Sequence, residues 1–217
     1  MKFKWYGHAS FGITTAGGVH ICTDPYVTGC YDGAIGYGPI ADACDVVLQS
    51  HDHPDHAGAG ELSGNPAVVR GPGEHEAAGM KFVGTPTFHD ESGGSERGEN
   101  TVFTFEADGI KVAFLGDLGH LLTDEQAAAI GPVDVAFVPV GGHFTIDAAG
   151  ATAVAEQLGA RVVIPMHYKT PACGFPIAGV DDFLAGKDNV VQAGAAEIDI
   201  TKDDLAEARV VVLDYVK

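Results

Sequence analysis

Basic residues are scarce in this 217-residue chain. Twelve Lys and Arg stand against 30 Asp and Glu, a formal net charge of −18. Such a surface repels phosphate backbones at long range, so nucleic acid is a poor partner. The acidity is read as a solvated surface that aids solubility, ahead of halophilic adaptation. Cysteine is sparser still. Cys22, Cys30, Cys44 and Cys173 form no C-x-x-C pair and no regular spacing. That excludes a disulfide framework or zinc knuckle as the expectation and fits inert thiols in a reducing cytoplasm. Long apolar runs are also missing: none approaches the roughly 20 residues that cross a bilayer. The opening Met1-Lys2-Phe3-Lys4-Trp5-Tyr6 is strand-like, with no apolar signal core. A cytoplasmic protein without a membrane partner is expected.

What is present is globular. Hydrophobic residues make up 46% of the chain and charged residues 19%, and the length suits one α/β domain over residues 1–217. No repeat, charge block or linker divides it. Short antiparallel strands are expected over 2–6, 11–15 and 19–23, the last two joined by Ala16-Gly17-Gly18. A buried strand over 45–50 runs into a histidine cluster, with a helix expected after it and short strands near 67–70 and 81–87. Strands over 100–107 and 110–116 form a hairpin across Asp108-Gly109, a strong turn signal. A helix near 123–130 has Thr123 as N-cap and Gly131-Pro132 as its stop. A strand over 133–140, a helix over 147–158 ended by Gly159 and a strand over 161–166 follow, with closing strands over 189–193 and 208–215. Strands followed by strand–helix units, given twice, fit two mixed sheets face to face with outer helices. Periodicity establishes α/β but leaves a doubly wound sheet open.

The chemistry collects where strands end. His51-Asp52-His53-Pro54-Asp55-His56 follows one strand, and His89, Asp117 and His167 follow three others. Binding groups commonly gather along one such edge. Neutral imidazole is the commonest ligand for borderline-soft metals, and carboxylate compensates their charge. In a tight turn, alternate residues can aim at one ion while Asp55 and His56 aim at a neighbour. A solvated polar loop is the competing reading, weakened by the further donors at other strand ends.

These segments, with Gly7-His8-Ala9-Ser10-Phe11, Thr23-Asp24-Pro25, Arg97-Gly98-Glu99-Asn100, Leu115-Gly116-Asp117-Leu118-Gly119-His120, Pro139-Val140-Gly141-Gly142 and Ile164-Pro165-Met166-His167-Tyr168, span nearly the whole chain. Their ordered set resembles the metallo-β-lactamase-fold hydrolases, whose hallmark is H-x-H-x-D-H, and within them the UlaG-like group. The resemblance implies an α/β (α+β) fold, a four-layer αββα sandwich. It also implies a binuclear centre with two Zn2+ per chain, Mn2+ or Fe2+ being the alternatives. His51, His53 and His89 would hold the first metal, Asp55, His56 and His167 the second, and Asp117 would bridge them. Two such ions can share a hydroxide at neutral pH, and the superfamily pattern has Asp55 accept its proton.

Three residues are expected to be catalytic: Asp55, His8 and His143. His8, like Asp24 and His120, either orients a ligating imidazole or touches substrate, against a local turn hydrogen bond. His143 is a proton donor to a leaving group or an exposed loop residue. Arg97 meets an anionic substrate or a neighbouring acid. His20 and His75 are read as structural or surface residues. Tyr26, Tyr31 and Tyr37 form a pocket wall or pack in the core. Residues 90–99 are a mobile loop or a long connection.

The expected function is hydrolysis of a small ester, lactone or related acyl substrate, an anionic one included. The UlaG-like resemblance suggests a sugar-acid phosphate lactone. The alternatives are a phosphodiesterase acting on a small phosphodiester and, from another class, a non-catalytic metal-dependent binding or assembly module. Homo-oligomerisation is left open.

Overall fold

A computed structural model describes residues 1–217. Its first sheet begins as an antiparallel meander of β1 (Lys2–Gly7), β2 (Ser10–Thr14) and β3 (His20–Thr23), onto which β4 (Val46–Gln49) and β5 (Ala67–Arg70) add in parallel. The second sheet repeats the scheme. An antiparallel run of β6 (Gly73–Ala77), β7 (Met80–Phe88), β8 (Glu99–Ala107) and β9 (Ile110–Phe114) is followed in parallel by β10 (Val135–Pro139) and β11 (Val162–Met166). Near the C-terminus β12 (Val190–Gln192) and β14 (Arg209–Val212) extend this sheet, while β13 (Glu197–Asp199) crosses back to pair with β1.

Alternation sets the sheets face to face. In β1, Phe3 and Trp5 enter the main core while Tyr6 joins a smaller cluster; in β4, Val46 and Leu48 face the core while Val47 faces the cluster. The inner faces meet through aromatic contacts: the Phe137 ring lies 4.5 Å from that of Phe11 and 5.6 Å from that of Phe3. Strands β10 and β11 are buried throughout, because helices cover their outer side. Helix α1 (Asp124–Ile130) packs near β7, and α2 (Ala148–Gln157) packs on β10 and on the short α3 (Asp181–Leu184). The result is the α/β sandwich of two mixed sheets; the doubly wound alternative is eliminated.

Local signals work as expected where they are strong. Asp108 and Gly109 both adopt positive φ, 55° and 68°, as the two-residue hairpin requires. Thr123 accepts from Gln126 N, and the Gln126 side chain returns to Thr123 N, a complete capping box.

The helix expected after the histidine cluster is not formed. Residues 57–66 contain three glycines and Pro66, too costly a composition for a helix, and only a 3-10 turn over Gly58–Glu61 appears. The outer face of the first sheet is covered instead by irregular chain, with Tyr26, Ile35, Tyr37, Cys173 and Ile177 closing on Cys22 and Val47. Strands β6 and β13 escape the periodicity because both lie at sheet edges and bury little. No helix is long and apolar enough to cross a membrane.

Candidate metal centre

Six strands deliver polar groups just beyond their carboxyl ends: His8 after β1, Asp24 after β3, Ser50 and His51 after β4, His89 after β7, Asp117 after β9 and His167 after β11. His8, Asp24 and His167 hold left-handed φ values of 52°, 32° and 52°. Such conformations are uncommon away from glycine and persist where surrounding structure enforces them. Two glycines let the loops close. Gly116 has φ 55°, and a Cβ there would meet Asn100 and Ser50; a Cβ on Gly119 would overlap the backbone of His89 and Asp90.

A buried hydrogen-bond chain decides which nitrogen His51 and His56 offer. Asp24 is fully buried. Its carboxylate accepts from Ser50 N (2.7 Å) and from the Ser50 hydroxyl. Having donated its proton to Asp24, Ser50 Oγ accepts from His51 Nδ1 (2.9 Å). His56 Nδ1 donates to the same Asp24 carboxylate (2.8 Å). One acid thereby leaves Nε2 of both His51 and His56 facing inward. Burial pushes the His51 pKa down to about 2 and that of His8 to about 4, keeping both rings neutral. His8 Nε2 donates to Asp55 Oδ2 (2.9 Å).

The inward atoms converge on Asp117 and Asp55. Nε2 of His56, His89 and His167 each lie 3.2 Å from Asp117 Oδ2, and His56 Nε2 lies 3.4 Å from Asp55 Oδ2. His56 Nε2 and Asp117 Oδ1 are nevertheless buried with no hydrogen-bond partner. His51 Nε2 faces His53 Nδ1 at 3.0 Å, close to the ~3.3 Å that two nitrogens ligating one zinc ion keep. The donors form two groups, His51 with His53 and His89, and His8, Asp55 and His56 with His167, and Asp117 approaches members of both. Burial opposes a charge on His56, yet Asp117 and Asp55 outweigh it and raise its pKa well above the ordinary range. Two carboxylates thus face an unpartnered buried imidazole nitrogen at the centre of the cluster, a donor set that suits a cation. A third geometric grouping, Asp24 with His51 and His56, is already satisfied by the hydrogen bonds above.

A cavity of about 260 Å³ opens on the cluster, lined by His53, Asp55, His89, Asp117 and His167 together with Tyr31, Arg97, Phe144 and Phe175. His8 does not line it; fully buried, it is hydrogen-bonded to the lining residue Asp55. His143 is not brought to the cluster either. It is exposed at φ 62° and borders an adjoining cleft of about 540 Å³, while Phe144 beside it lines both that cleft and the cavity. His120 accepts from Phe88 N (3.1 Å) and donates to Leu121 O (2.7 Å), fastening the end of β7. The tyrosines divide: Tyr26 and Tyr37 pack in the smaller cluster, while Tyr31 is 46% exposed and forms part of the cavity wall. His75 bonds Gly71 O (2.9 Å) in the edge strand β6.

Three supporting residues carry roles that sequence reasoning did not assign. Ser50 relays Asp24 to His51. Asn100 donates to Thr87 Oγ1 (2.8 Å) and Leu115 O (3.0 Å) and accepts from Asp117 N (3.0 Å), fixing the loop that presents Asp117. Asp90 gathers the segment after His89: its carboxylate accepts from the backbone N–H groups of Ser92, Gly94, Glu96 and Arg97 at 2.7–3.0 Å. Burial would raise its pKa, but these donors hold it down to about 2. The available signal was a polar residue directly beside each ligand or strand end.

Residues 2–167 match the family model described as the beta-lactamase superfamily domain. The chain is 32% identical to a UPF0173 metal-dependent hydrolase of Thermococcus onnurineus, over 78% of this chain and 85% of the relative. Identity to the corresponding Pyrococcus abyssi protein is also 32%, with the same coverage. A crystal structure from Thermotoga maritima, assigned as a candidate Zn-dependent hydrolase of the metallo-beta-lactamase superfamily, superposes with a TM-score of 0.81 at 40% identity, covering 99% of both chains.

Proposed function

This chain belongs to the beta-lactamase superfamily and to its UPF0173 metal-dependent hydrolases, and from that membership we propose a binuclear zinc centre that hydrolyses a small ester, lactone or related acyl substrate. One observation carries the reading: two donor groups, each rich in imidazole, flank a single carboxylate that lines a surface cavity. His51, His53 and His89 would hold one ion, Asp55, His56 and His167 the other, with Asp117 between. The nitrogen-rich set suits zinc; Mn2+ and Fe2+ are the alternatives to compare. Bound divalent ions supply Lewis acidity and a water ionised near neutral pH.

The chain's own residues do the rest. Asp24 and Ser50 hold the rings of His51 and His56 in the ligating tautomer. His8 fixes Asp55 at Oδ2, so His8 would be a positioning residue, and Asp55, which lines the cavity, would be the group that takes up a proton there. Tyr31, Phe144 and Phe175 give the cavity an aromatic wall. A cavity of about 260 Å³ has room for a small substrate at the donor cluster.

Metal analysis of protein purified without an affinity tag is the first test, with about two ions per chain expected for a shared-metal site. A content near zero after metal supplementation, or full retention in a His51→Ala/His56→Ala double variant, overturns the binuclear reading. A panel of lactones, thioesters, aryl esters and chromogenic phosphodiesters then identifies the reaction. Turnover of the phosphodiesters alone would replace acyl hydrolysis with phosphodiester cleavage, and no turnover with any of the three metals would favour a binding module.

A further inference from the structure

Resting on the hydrolase reading, the inference concerns what the substrate carries. Of the nine side chains lining the cavity, five belong to the donor cluster and three are aromatic; the remaining one is Arg97. It is the single permanently cationic group of that lining, in a chain with only 12 Lys and Arg. Arg97 also borders the 540 Å³ cleft and a third of about 470 Å³ beside His51 and His53, so three concavities meet at its side chain.

Its placement is built. The Arg97 backbone N–H is held by Asp90 Oδ2 at 2.7 Å, one residue after His89, so the same segment presents a metal-ligand candidate and the guanidinium. The guanidinium carbon lies 6.0 Å from the Phe144 ring centroid, and Phe144 packs on Phe175, which packs on Tyr31. The competing use of Arg97 is an ion pair with Glu96. That pair is 3.6 Å long and solvent-exposed, Glu96 is also engaged by Ser92 Oγ at 2.8 Å, and exposed pairs of this kind contribute little. The planar fork of donors remains free for an oxyanion.

We propose that Arg97 is a specificity-determining residue that binds an anionic group, carboxylate or phosphate-like, on the substrate next to the bond that is hydrolysed. The experiment compares metal-loaded wild type, Arg97→Gln and Arg97→Lys on three 4-nitrophenyl esters of similar length: the neutral butyrate, the monosuccinate and the 3-phosphonopropionate. Wild type should favour at least one anionic ester over the neutral one in kcat/KM. Arg97→Gln should lower that ratio by about tenfold, the scale of one lost charge-assisted contact, and Arg97→Lys should restore part of it. The two anionic esters distinguish carboxylate from phosphonate recognition.

Equal use of neutral and anionic esters by wild type overturns the proposal, as does a proportionate fall for all esters in Arg97→Gln, which marks a purely structural role. A calorimetric arm keeps the two readings separable. Succinate and methylphosphonate are titrated into metal-loaded wild type and Arg97→Gln, with equal metal content verified. If no ester is cleaved but Arg97→Gln weakens anion binding about tenfold, the ester reading fails and the anion site stands. Unchanged anion affinity overturns the anion site whatever the esters show.

Discussion

The two halves of the molecule supply donors to the same centre but orient them differently. In the first half, side chains orient side chains: Asp24 and Ser50 fix the rings of His51 and His56, and His8 fixes Asp55. In the second half, His89 Nδ1 and His167 Nδ1 are buried without hydrogen-bond partners, and the donors are placed through their backbones. Asn100 holds Asp117 N, Gly119 permits close packing under His89, and His167 N donates to His8 O at 3.1 Å. A dense ligand loop needs each ring turned to the correct atom. A lone ligand at a strand end needs its loop placed correctly.

The contrast can be broken in order of expected effect. Asp117→Ala removes the group approached by His56, His89 and His167, and should leave the protein unable to retain added metal through dialysis; retention equal to wild type would show that Asp117 is not part of the centre. Asp24→Ala should weaken metal affinity by about 10–100-fold, the usual effect of losing a ligand's hydrogen-bond partner, measured by chelator competition. Because Asp24 serves both His51 and His56, a centre that is binuclear as proposed should lose affinity at both positions; loss confined to one would break the relay through Ser50. Gly119→Ala should act through the backbone, lowering stability by about 1–3 kcal/mol as an overpacked contact does and displacing His89. An unchanged melting curve and an unchanged metal affinity would refute that. Thr123→Ala, at the helix cap remote from the donors, should cost about 1 kcal/mol with metal content unaltered, separating fold stability from site integrity.

The same contrast explains what could be read in the chain. The His51–His56 run is dense and follows a buried strand, so its donors are visible together. His89, Asp117 and His167 are single residues, visible as candidates because each closes an apolar run. His143 shows the limit: a histidine in a glycine-rich loop after a strand has the same local pattern, yet its backbone turns it to solvent. Arg97 shows the converse. Its sequence context admits an ion pair equally well, and only the fastening of its segment by Asp90 brings it over the cavity. The absent helix after the cluster was legible in principle, since glycine and Pro66 outweigh the weak apolar spacing there.

What the sequence determined alone was chemical identity and local geometry: which donors exist, that strands end at them, where the Asp108-Gly109 hairpin turns and where Thr123 starts a helix. These depend on neighbouring residues, whose preferences act at short range. Tertiary structure decided which nitrogen His51 and His56 present, which acid serves two rings, and which cation faces the cavity. Asp24 and His56 are 32 residues apart and Asn100 and Asp117 are 17 apart. Such partners meet only after the two sheets have packed, when burial makes an unpartnered polar atom costly and the bonds to Asp24 and Ser50 hold the rings of His51 and His56 in one orientation.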